Sequence, residues 1–202
     1  MTTSGFEGLF GRISGSVMAR LNRDMERTAV AELNPSPADS VLAIGFGPGI
    51  GVESLADVLS AGLVAGIDPS AAMNELASRR NRRGIDSGRI VLRNAGAEAI
   101  PWPDNTFNGI VAVNSAQLWR PLDAAVREVA RVARPGCSLV TITHAWAVEK
   151  TSPVPEWIER MSSLLAEREL SAISSRIQKF RSGRGLVLRA TALGGEVAAH
   201  DP

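Results

Sequence analysis

Residues 41–51 read VLAIGFGPGIG, and this stretch decides the fold. A short apolar run, Val41 to Ile44, breaks into glycines at positions 45, 47, 49 and 51. This is the form of a buried parallel strand that ends in a tight turn. Glycines let the backbone approach a ligand closely and leave free amides at the start of the next helix. The stretch therefore predicts a ligand-binding turn at the carboxyl end of a strand.

Apolar runs typical of strands alternate with helical patterns along the rest of the chain. Strands are predicted over 41–44, 63–67, 89–93, 109–113, 137–143, 173–180 and 186–192. Helices are predicted over 16–33, from about Ile50, and over 71–82, 121–133 and 155–170. Such alternation implies an α/β fold with helices on both faces of a sheet. We expect a mainly parallel seven-stranded sheet, and the turn at 182–185 makes one strand near the C-terminus antiparallel.

Asn34-Pro35-Ser36-Pro37 ends the first predicted helix and divides the chain. We expect residues 1–34 to form an N-terminal helical cap. Residues 35–202 are long enough to bury one core, so we expect a single globular unit there.

The composition argues against several partners and locations. Twenty-two basic and 21 acidic residues give a net charge of +1, which offers no electrostatic case for nucleic acid or an anionic membrane. One cysteine and two histidines argue against a disulfide framework and a metal site. The N-terminal residues do not resemble a signal peptide, and no apolar run is long enough for a membrane span. We therefore expect a cytoplasmic protein.

The glycine spacing separates two classes of ligand. A dinucleotide fingerprint, G-x-G-x-x-G, would need its third glycine at Ile50, whereas the chain has G-x-G-x-G. Asp68 follows the second predicted strand about 20 residues on, where an acid accepts hydrogen bonds from ribose hydroxyls. Either feature alone also fits a plain turn or an N-cap aspartate. Together, at this spacing, they favour a ligand site.

Residues 97–140 read AEAIPWPDNTFNGIVAVNSAQLWRPLDAAVREVARVARPGCSLV. With the glycine loop and Asp68 before it, this order of motifs resembles the class I S-adenosylmethionine-dependent methyltransferases, over about residues 15–145. The resemblance implies the three-layer, Rossmann-like methyltransferase fold. It also implies S-adenosylmethionine as the cofactor and a small molecule as the methyl acceptor.

The resemblance further implies where the cofactor binds. The glycine loop would hold its methionine end, Asp68 its ribose hydroxyls, and the loop 95–98 would pass the edge of the adenine. Asn114 would lie beneath the sulfonium. The implied cofactor contacts are Gly45, Phe46, Gly47, Gly49, Asp68, Pro69, Met73, Gly96, Ala97, Glu98 and Asn114.

Three positions depart from the family pattern because each lacks an acid. Ala43 stands where relatives carry an acid that helps to hold the cofactor's ammonium group, and Gly96 stands where an aspartate commonly binds the adenine amine. Asn108 replaces the aspartate of an F-D pair. Each lost charge-assisted contact would weaken binding by about 1.5–3 kcal/mol if buried. In a working site, a carboxylate introduced at position 43 is expected to face the ammonium and tighten binding.

His144, at the carboxyl end of the fifth predicted strand, is the candidate catalytic base, because imidazole titrates near neutral pH. The alternative is a histidine at the pocket rim without catalytic duty. Large side chains are available for an apolar or aromatic acceptor pocket, although each also fits a core: Phe10, Met18, Trp119, Trp146, Trp157 and Met161. The chain has no long insertion to form a lid, which leaves a homodimer as one way to close the pocket.

Two other functions stay open beside methyl transfer. The first is a non-methylating enzyme, of cyclase or isomerase type, on the same fold. The second is a binding protein with weakened or lost cofactor binding. The absent acids favour these two, whereas the glycine loop, Asp68 and the segment 114–119 favour the methyltransferase.

Overall fold

A computed structural model describes residues 22–193 of the chain. Seven strands form one sheet in the order β3-β2-β1-β4-β5-β7-β6. Their bounds are β1 Ser40–Ile44, β2 Leu63–Ile67, β3 Ile90–Arg93, β4 Phe107–Val113, β5 Ala133–His144, β6 Leu170–Phe180 and β7 Gly183–Ala192. Within the described residues, β7 alone runs antiparallel to its neighbours, and every other pair is parallel. The predicted sheet is confirmed.

Helices cover both faces of this sheet. Their bounds are α1 Arg23–Leu33, α2 Ile50–Val58, α3 Ala71–Arg80, α4 Arg82–Asp86, α5 Leu122–Val132, α6 Ala145–Glu149 and α7 Val154–Ala166, and a short 3-10 turn covers Ala116–Leu118. Side chains alternate along each strand, so Leu42 and Ile44 join the apolar cluster beneath α5 and α7. Val41 and Ala43 join the cluster beneath α1 and α2. The molecule therefore has three layers, as predicted.

The largest errors in element bounds lie where strand pairing decides the outcome. The helix predicted over 155–170 ends at Ala166, because Leu170 pairs with Ala192 and begins the edge strand. The fifth strand begins at Ala133 rather than 137, because Ala133 pairs with Phe107. These long-range pairings leave no local mark in the sequence.

Helix α1 packs directly on the sheet. Met25, Ala29 and Leu33 are buried in the same apolar cluster as β1 and β4. The rest of the predicted cap, including Phe10 and Met18, lies outside the described residues, so the division at residue 34 stays a prediction. Between residues 22 and 193, no helix has the length and apolar character needed to cross a bilayer.

Candidate functional site

A cavity of about 350 Å³ opens at the carboxyl edge of the parallel strands. This volume falls within the roughly 300–1,000 Å³ typical of small-molecule sites. The chain leaves β1 toward β2 and β3, then returns to β4 on the other side of β1. The cavity lies at this reversal, where open α/β sheets bind ligands. It is lined by Ile44, Gly45, Gly47, Ile67, Asp68, Pro69, Ala95, Gly96, Ala97, Glu98, Asn114, Ser115, Leu118, Trp119 and Arg120.

The glycine loop has a backbone conformation that residues other than glycine adopt rarely. Gly45, Gly47 and Gly49 have φ angles of 69°, 52° and 81°. A Cβ atom at Gly45 would also collide with the side chain of Ser115, which follows β4. Ser115 Oγ donates a hydrogen bond to the carbonyl of Ile44, at 2.6 Å. Glycine at position 45 therefore lets the ends of β1 and β4 meet at the cavity floor.

Asp68 joins the end of β2 to the glycine loop. Its side chain is buried, Oδ2 accepts a hydrogen bond from the Gly47 amide at 2.9 Å, and Oδ1 accepts one from the Ser70 amide at 2.9 Å. A carboxylate oxygen has two lone pairs, so each oxygen keeps one for a ligand hydroxyl. The structure thus places Asp68 beside the glycine loop, as the sequence predicted.

Asn114 connects the cavity to α1 and β5. Its Oδ1 accepts a hydrogen bond from the His144 amide at 3.1 Å, and its Nδ2 lies 3.6 Å from the sulfur of Met25. Gln117 Nε2 donates to the Asn114 carbonyl at 2.9 Å. Asn114 has a φ of 53°, which asparagine tolerates better than most residues. These contacts hold the residue at the point where β4 ends.

Eight of the residues predicted to bind the cofactor line this cavity: Gly45, Gly47, Asp68, Pro69, Gly96, Ala97, Glu98 and Asn114. Phe46, Gly49 and Met73 lie outside its lining. Phe46 is buried in the cluster beneath α1, Gly49 is the N-cap of α2, and the Met73 amide donates to the N-cap Ser70. These three residues shape the surroundings of the cavity rather than its wall.

The sequence prediction missed four lining residues, which are Ile44, Ile67, Leu118 and Arg120. The first two end β1 and β2, and the last two follow Asn114 closely, so the strand ends and the segment after β4 were the available signals. Among the predicted acceptor-pocket residues, Trp119 lines the cavity, whereas Trp157 and Met161 are buried in the core beneath α7. Trp146 is 45% exposed at the same sheet edge.

The absent acids do not lie together around the cavity. Ala43 is buried beneath α1 among Met25, Phe46 and Val113, because its neighbour Ile44 takes the opposite face of the strand. Asn108 lies at the amino edge of the sheet, where its Oδ1 accepts a hydrogen bond from the Ser40 amide at 3.0 Å. Of the three positions, Gly96 alone lines the cavity. This position argues against the expectation that a carboxylate at position 43 would face a ligand.

His144 is buried near the cavity but outside its lining. Its Nε2 lies 3.0 Å from Asn22 Oδ1, its ring stacks on Trp146, and its Nδ1 has no hydrogen-bond partner among residues 22–193. Burial lowers the pKa of the imidazole, so the ring is neutral at pH 7. A neutral imidazole can accept a proton, but its role as a base stays a prediction.

One arginine fixes the loop that continues from the cavity wall. The Arg131 guanidinium binds both carboxylate oxygens of Glu128 at 2.7 Å, and it donates to the carbonyls of Ile100 at 2.9 Å and Trp102 at 2.8 Å. It also binds Asp104 at 2.8 Å. The hydrogen bonds from Arg131 hold the pKa of Glu128 below its usual range. Helix α5 thereby anchors the segment after residues 95–98.

Comparison with known proteins places these residues in a family. A family model described as a methyltransferase domain matches residues 41–136, which contain the whole lining of the cavity. YdaC, an uncharacterized methyltransferase of Bacillus subtilis, is 27% identical over 124 residues, which is 61% of this chain and 66% of that protein. The fatty-acid O-methyltransferase of Mycolicibacterium smegmatis is 32% identical over 147 residues, 72% of this chain and 49% of that protein. The chain thus spans between about half and two thirds of these relatives.

The solved structure of a SAM-dependent methyltransferase from Aquifex aeolicus has the same fold. It matches with a TM-score of 0.71 at 19% identity, over 89% of this chain and 97% of that one. Residues 41–136 therefore match a methyltransferase domain, and the chain has the fold of a SAM-dependent methyltransferase. That solved enzyme is SAM-dependent, so S-adenosylmethionine is the cofactor to consider for this cavity.

The residues of the cavity fit this cofactor. The cofactor is a cation with a flat purine, and the wall offers the Asp68 and Glu98 carboxylates beside apolar Ile67 and Pro69. The wall therefore suits a ligand that carries polar groups beside a flat apolar ring.

Proposed function

We propose that this protein transfers a methyl group from S-adenosylmethionine to a small, apolar or aromatic molecule. One observation carries the proposal: Gly45, Asp68 and Asn114 line a single cavity at the sheet's reversal point, within the residues that match the methyltransferase family. When bound, the cofactor supplies an electrophilic methyl group, and an acceptor lone pair takes it. Holding both reactants in line supplies most of the rate in such a transfer. The chain's contribution is therefore binding and orientation.

Each segment of the wall has its own part in that binding. Asp68 would hold the ribose hydroxyls with its free lone pairs. The amides of the glycine loop already donate within the protein, to the carbonyls of Ile67 and Phe46 and to Asp68, so the loop would contact the methionine end by close approach of its backbone. The wall residues Ile67 and Pro69 would pack on the purine ring. These contacts would exclude water from the reacting centre and fix the direction of approach.

Exposed apolar side chains near the cavity favour an apolar methyl acceptor. Leu118 is 69% exposed in the cavity wall, and Trp146 is 45% exposed at the carboxyl end of β5. Exposed apolar groups beside a cavity are typical of binding surfaces. The relative from Mycolicibacterium smegmatis is a fatty-acid O-methyltransferase, and an apolar chain of that class would match these side chains.

The direct test is an acceptor screen with the full chain. The protein is incubated with S-adenosylmethionine labelled in its methyl group and with fatty acids, hydroquinones or phenols. We expect acceptor-dependent formation of S-adenosylhomocysteine, with the label recovered in one acceptor class. If S-adenosylhomocysteine binds but no acceptor promotes its formation, the methyltransferase proposal fails.

A second candidate is a non-methylating enzyme on this fold. One observation favours it: within residues 22–193, the single histidine lies outside the cavity wall, so no neutral base faces the cavity. This candidate predicts cofactor binding without cofactor consumption. The screen separates the two, because the first requires S-adenosylhomocysteine to appear and the second requires the cofactor to persist.

A further inference from the structure

In the loop after β3, the Glu98 side chain occupies the space beside Gly96, which has no side chain of its own. A Cβ atom built on Gly96 would collide with both carboxylate oxygens of Glu98. The Glu98 carboxylate therefore lies over the α-carbon of Gly96, in the space that a side chain at position 96 would occupy. Both residues line the cavity.

This carboxylate is free to meet a ligand. None of the ion pairs formed within residues 22–193 involves Glu98, although the chain is rich in arginine. The nearby Arg93 instead lies over the ring of Trp102, at 5.0 Å from its centroid. Among the described residues, the lining of the loop 95–98 otherwise consists of alanine and glycine. Glu98 is therefore the polar group that this loop offers.

In the proposed binding mode, the sheet order puts the adenine end of the cofactor at this loop. The glycine loop follows β1, Asp68 follows β2 and the loop 95–98 follows β3, and these strands lie side by side. The cofactor is a chain of methionine, ribose and adenine. With methionine at the β1 loop and ribose at Asp68, the adenine extends toward β3. Glu98 is then the charged side chain at the adenine end.

We propose that the Glu98 carboxylate, folded over Gly96, accepts a hydrogen bond from the exocyclic amine of adenine and makes the site specific for that base. The inference rests on the proposed function, since it needs the cofactor in this cavity. A carboxylate accepts hydrogen bonds and donates none. It therefore favours the adenine amine, a donor, and repels the carbonyl that hypoxanthine carries at the same position. Glu98 acts as a specificity-determining residue and takes no part in methyl transfer.

The test compares two ligands that differ at C6, which carries an amine in adenine and a carbonyl in hypoxanthine, and at the adjacent N1, which accepts in adenine and donates in hypoxanthine. Dissociation constants of S-adenosylhomocysteine and S-inosylhomocysteine are measured by calorimetry with the full chain. We expect the wild type to prefer the adenosyl ligand by about 10- to 100-fold, the range of one charge-assisted hydrogen bond. Glu98→Ala should reduce the preference to below about threefold, mainly by weakening the adenosyl ligand. Glu156→Ala, at an exposed glutamate of α7, should keep the wild-type preference.

Three further variants separate base specificity from a structural effect of the substitution. Glu98→Gln offers the inosyl carbonyl a donor, so the preference should shift toward S-inosylhomocysteine. Gly96→Asp combined with Glu98→Ala should restore the adenosyl preference, because removal of the Glu98 side chain makes room for one at position 96. Gly96→Asp alone should displace the flexible Glu98 side chain and keep the adenosyl preference, because one carboxylate then replaces the other at this place.

The inference is overturned if Glu98→Ala leaves the ratio of the two constants unchanged, or weakens both ligands equally. It is also overturned if the double variant fails to regain the preference while remaining folded. If the wild type binds neither ligand, the cofactor site itself fails, and the proposed function falls with the inference. If the wild type binds the adenosyl ligand and only the ratio test fails, the proposed function stands alone.

Discussion

At the scale of single residues, Asp68 has two tasks that a substitution can separate. It would bind ribose hydroxyls, and it also holds the Gly47 and Ser70 amides. Asp68→Ala should raise the dissociation constant of S-adenosylhomocysteine by about 10- to 150-fold, which corresponds to about 1.5–3 kcal/mol. Calorimetry measures this change. Asp57→Ala, at an exposed aspartate of α2, is the matched control and should bind like the wild type.

Asp68→Asn tests the charge separately from the backbone hydrogen bonds. The amide oxygen still accepts one backbone hydrogen bond, but the negative charge is lost. An intermediate loss of affinity is expected. An unchanged dissociation constant in Asp68→Ala would mean that this carboxylate does not bind the ligand.

A second residue, Glu26, makes the stability depend on pH. It is partly buried against Gly51 at the start of α2, and burial raises its pKa to about 8 from the ordinary value of 4.5. Between these two values the folded protein keeps a proton that the unfolded chain has released. The unfolding free energy therefore falls as the pH rises from about 4.5 to about 8.

Glu26→Gln removes this titration and should raise the melting temperature relative to wild type at pH 8. The difference should vanish near pH 4.5, where the folded wild type is already neutral at this position. Melting curves at several pH values measure it, and Glu159→Gln, at an exposed site on α7, should show no such trend. A difference that is the same at both pH values would contradict the raised pKa of Glu26.

Ala43 shows why a position in a motif does not decide where a side chain points. A carboxylate in Ala43→Asp would lie among Met25, Phe46 and Val113 without a partner. We expect a loss of about 3 kcal/mol or more in unfolding free energy and no gain in cofactor affinity. Urea unfolding measures the loss, and Ala43→Val controls for volume without charge. Tighter binding of S-adenosylhomocysteine by Ala43→Asp would show instead that the position faces the cofactor.

At the scale of elements, α5 and the loop after β3 are held together by Arg131. Arg131→Lys keeps the charge but loses the planar fork that binds Glu128 and two carbonyls. We expect a loss of about 1–3 kcal/mol in unfolding free energy and weaker cofactor binding, since the loop 95–98 continues into this anchored segment. Arg127→Lys, at an exposed arginine of the same helix, should leave both unchanged. Equal stability of the two variants would contradict the anchoring role.

The elements that the sequence predicted well are those with local signals. The apolar run before Gly45 marks β1, and the amphipathic pattern of α5 marks its buried face. The start of β5 and the end of α7 could not be predicted, because pairing with distant strands decides them.

The same limit applies to the site. Asp68 and Asn114 could be predicted because each directly follows a strand that reaches the cavity. The alternation of side chains along β1 could have shown that Ala43 and Ile44 face opposite ways. The position of the Glu98 carboxylate over Gly96 could not be predicted from the sequence, because it depends on the conformation of a flexible side chain.

At the scale of the whole molecule, the sheet brings together residues from distant parts of the chain. The cavity wall takes one segment after each of β1, β2, β3 and β4, and α1 supports Asn114 through Met25. Cofactor binding should therefore stabilise the whole fold by about 2.7 kcal/mol at a ligand concentration 100 times the dissociation constant. A melting temperature that rises with S-adenosylhomocysteine concentration measures this linkage, and adenine alone should raise it less.

We infer that this cavity is a working cofactor site despite the acids absent from positions 43 and 96. The most direct measurement is a calorimetric titration of the full chain with S-adenosylhomocysteine, with Asp68→Ala titrated in parallel. We expect saturable binding at one site per chain in the wild type, weakened at least about 10-fold in the variant. Absence of saturable binding by the wild type at millimolar ligand, or equal binding by both proteins, would contradict the assignment of the cofactor to this cavity.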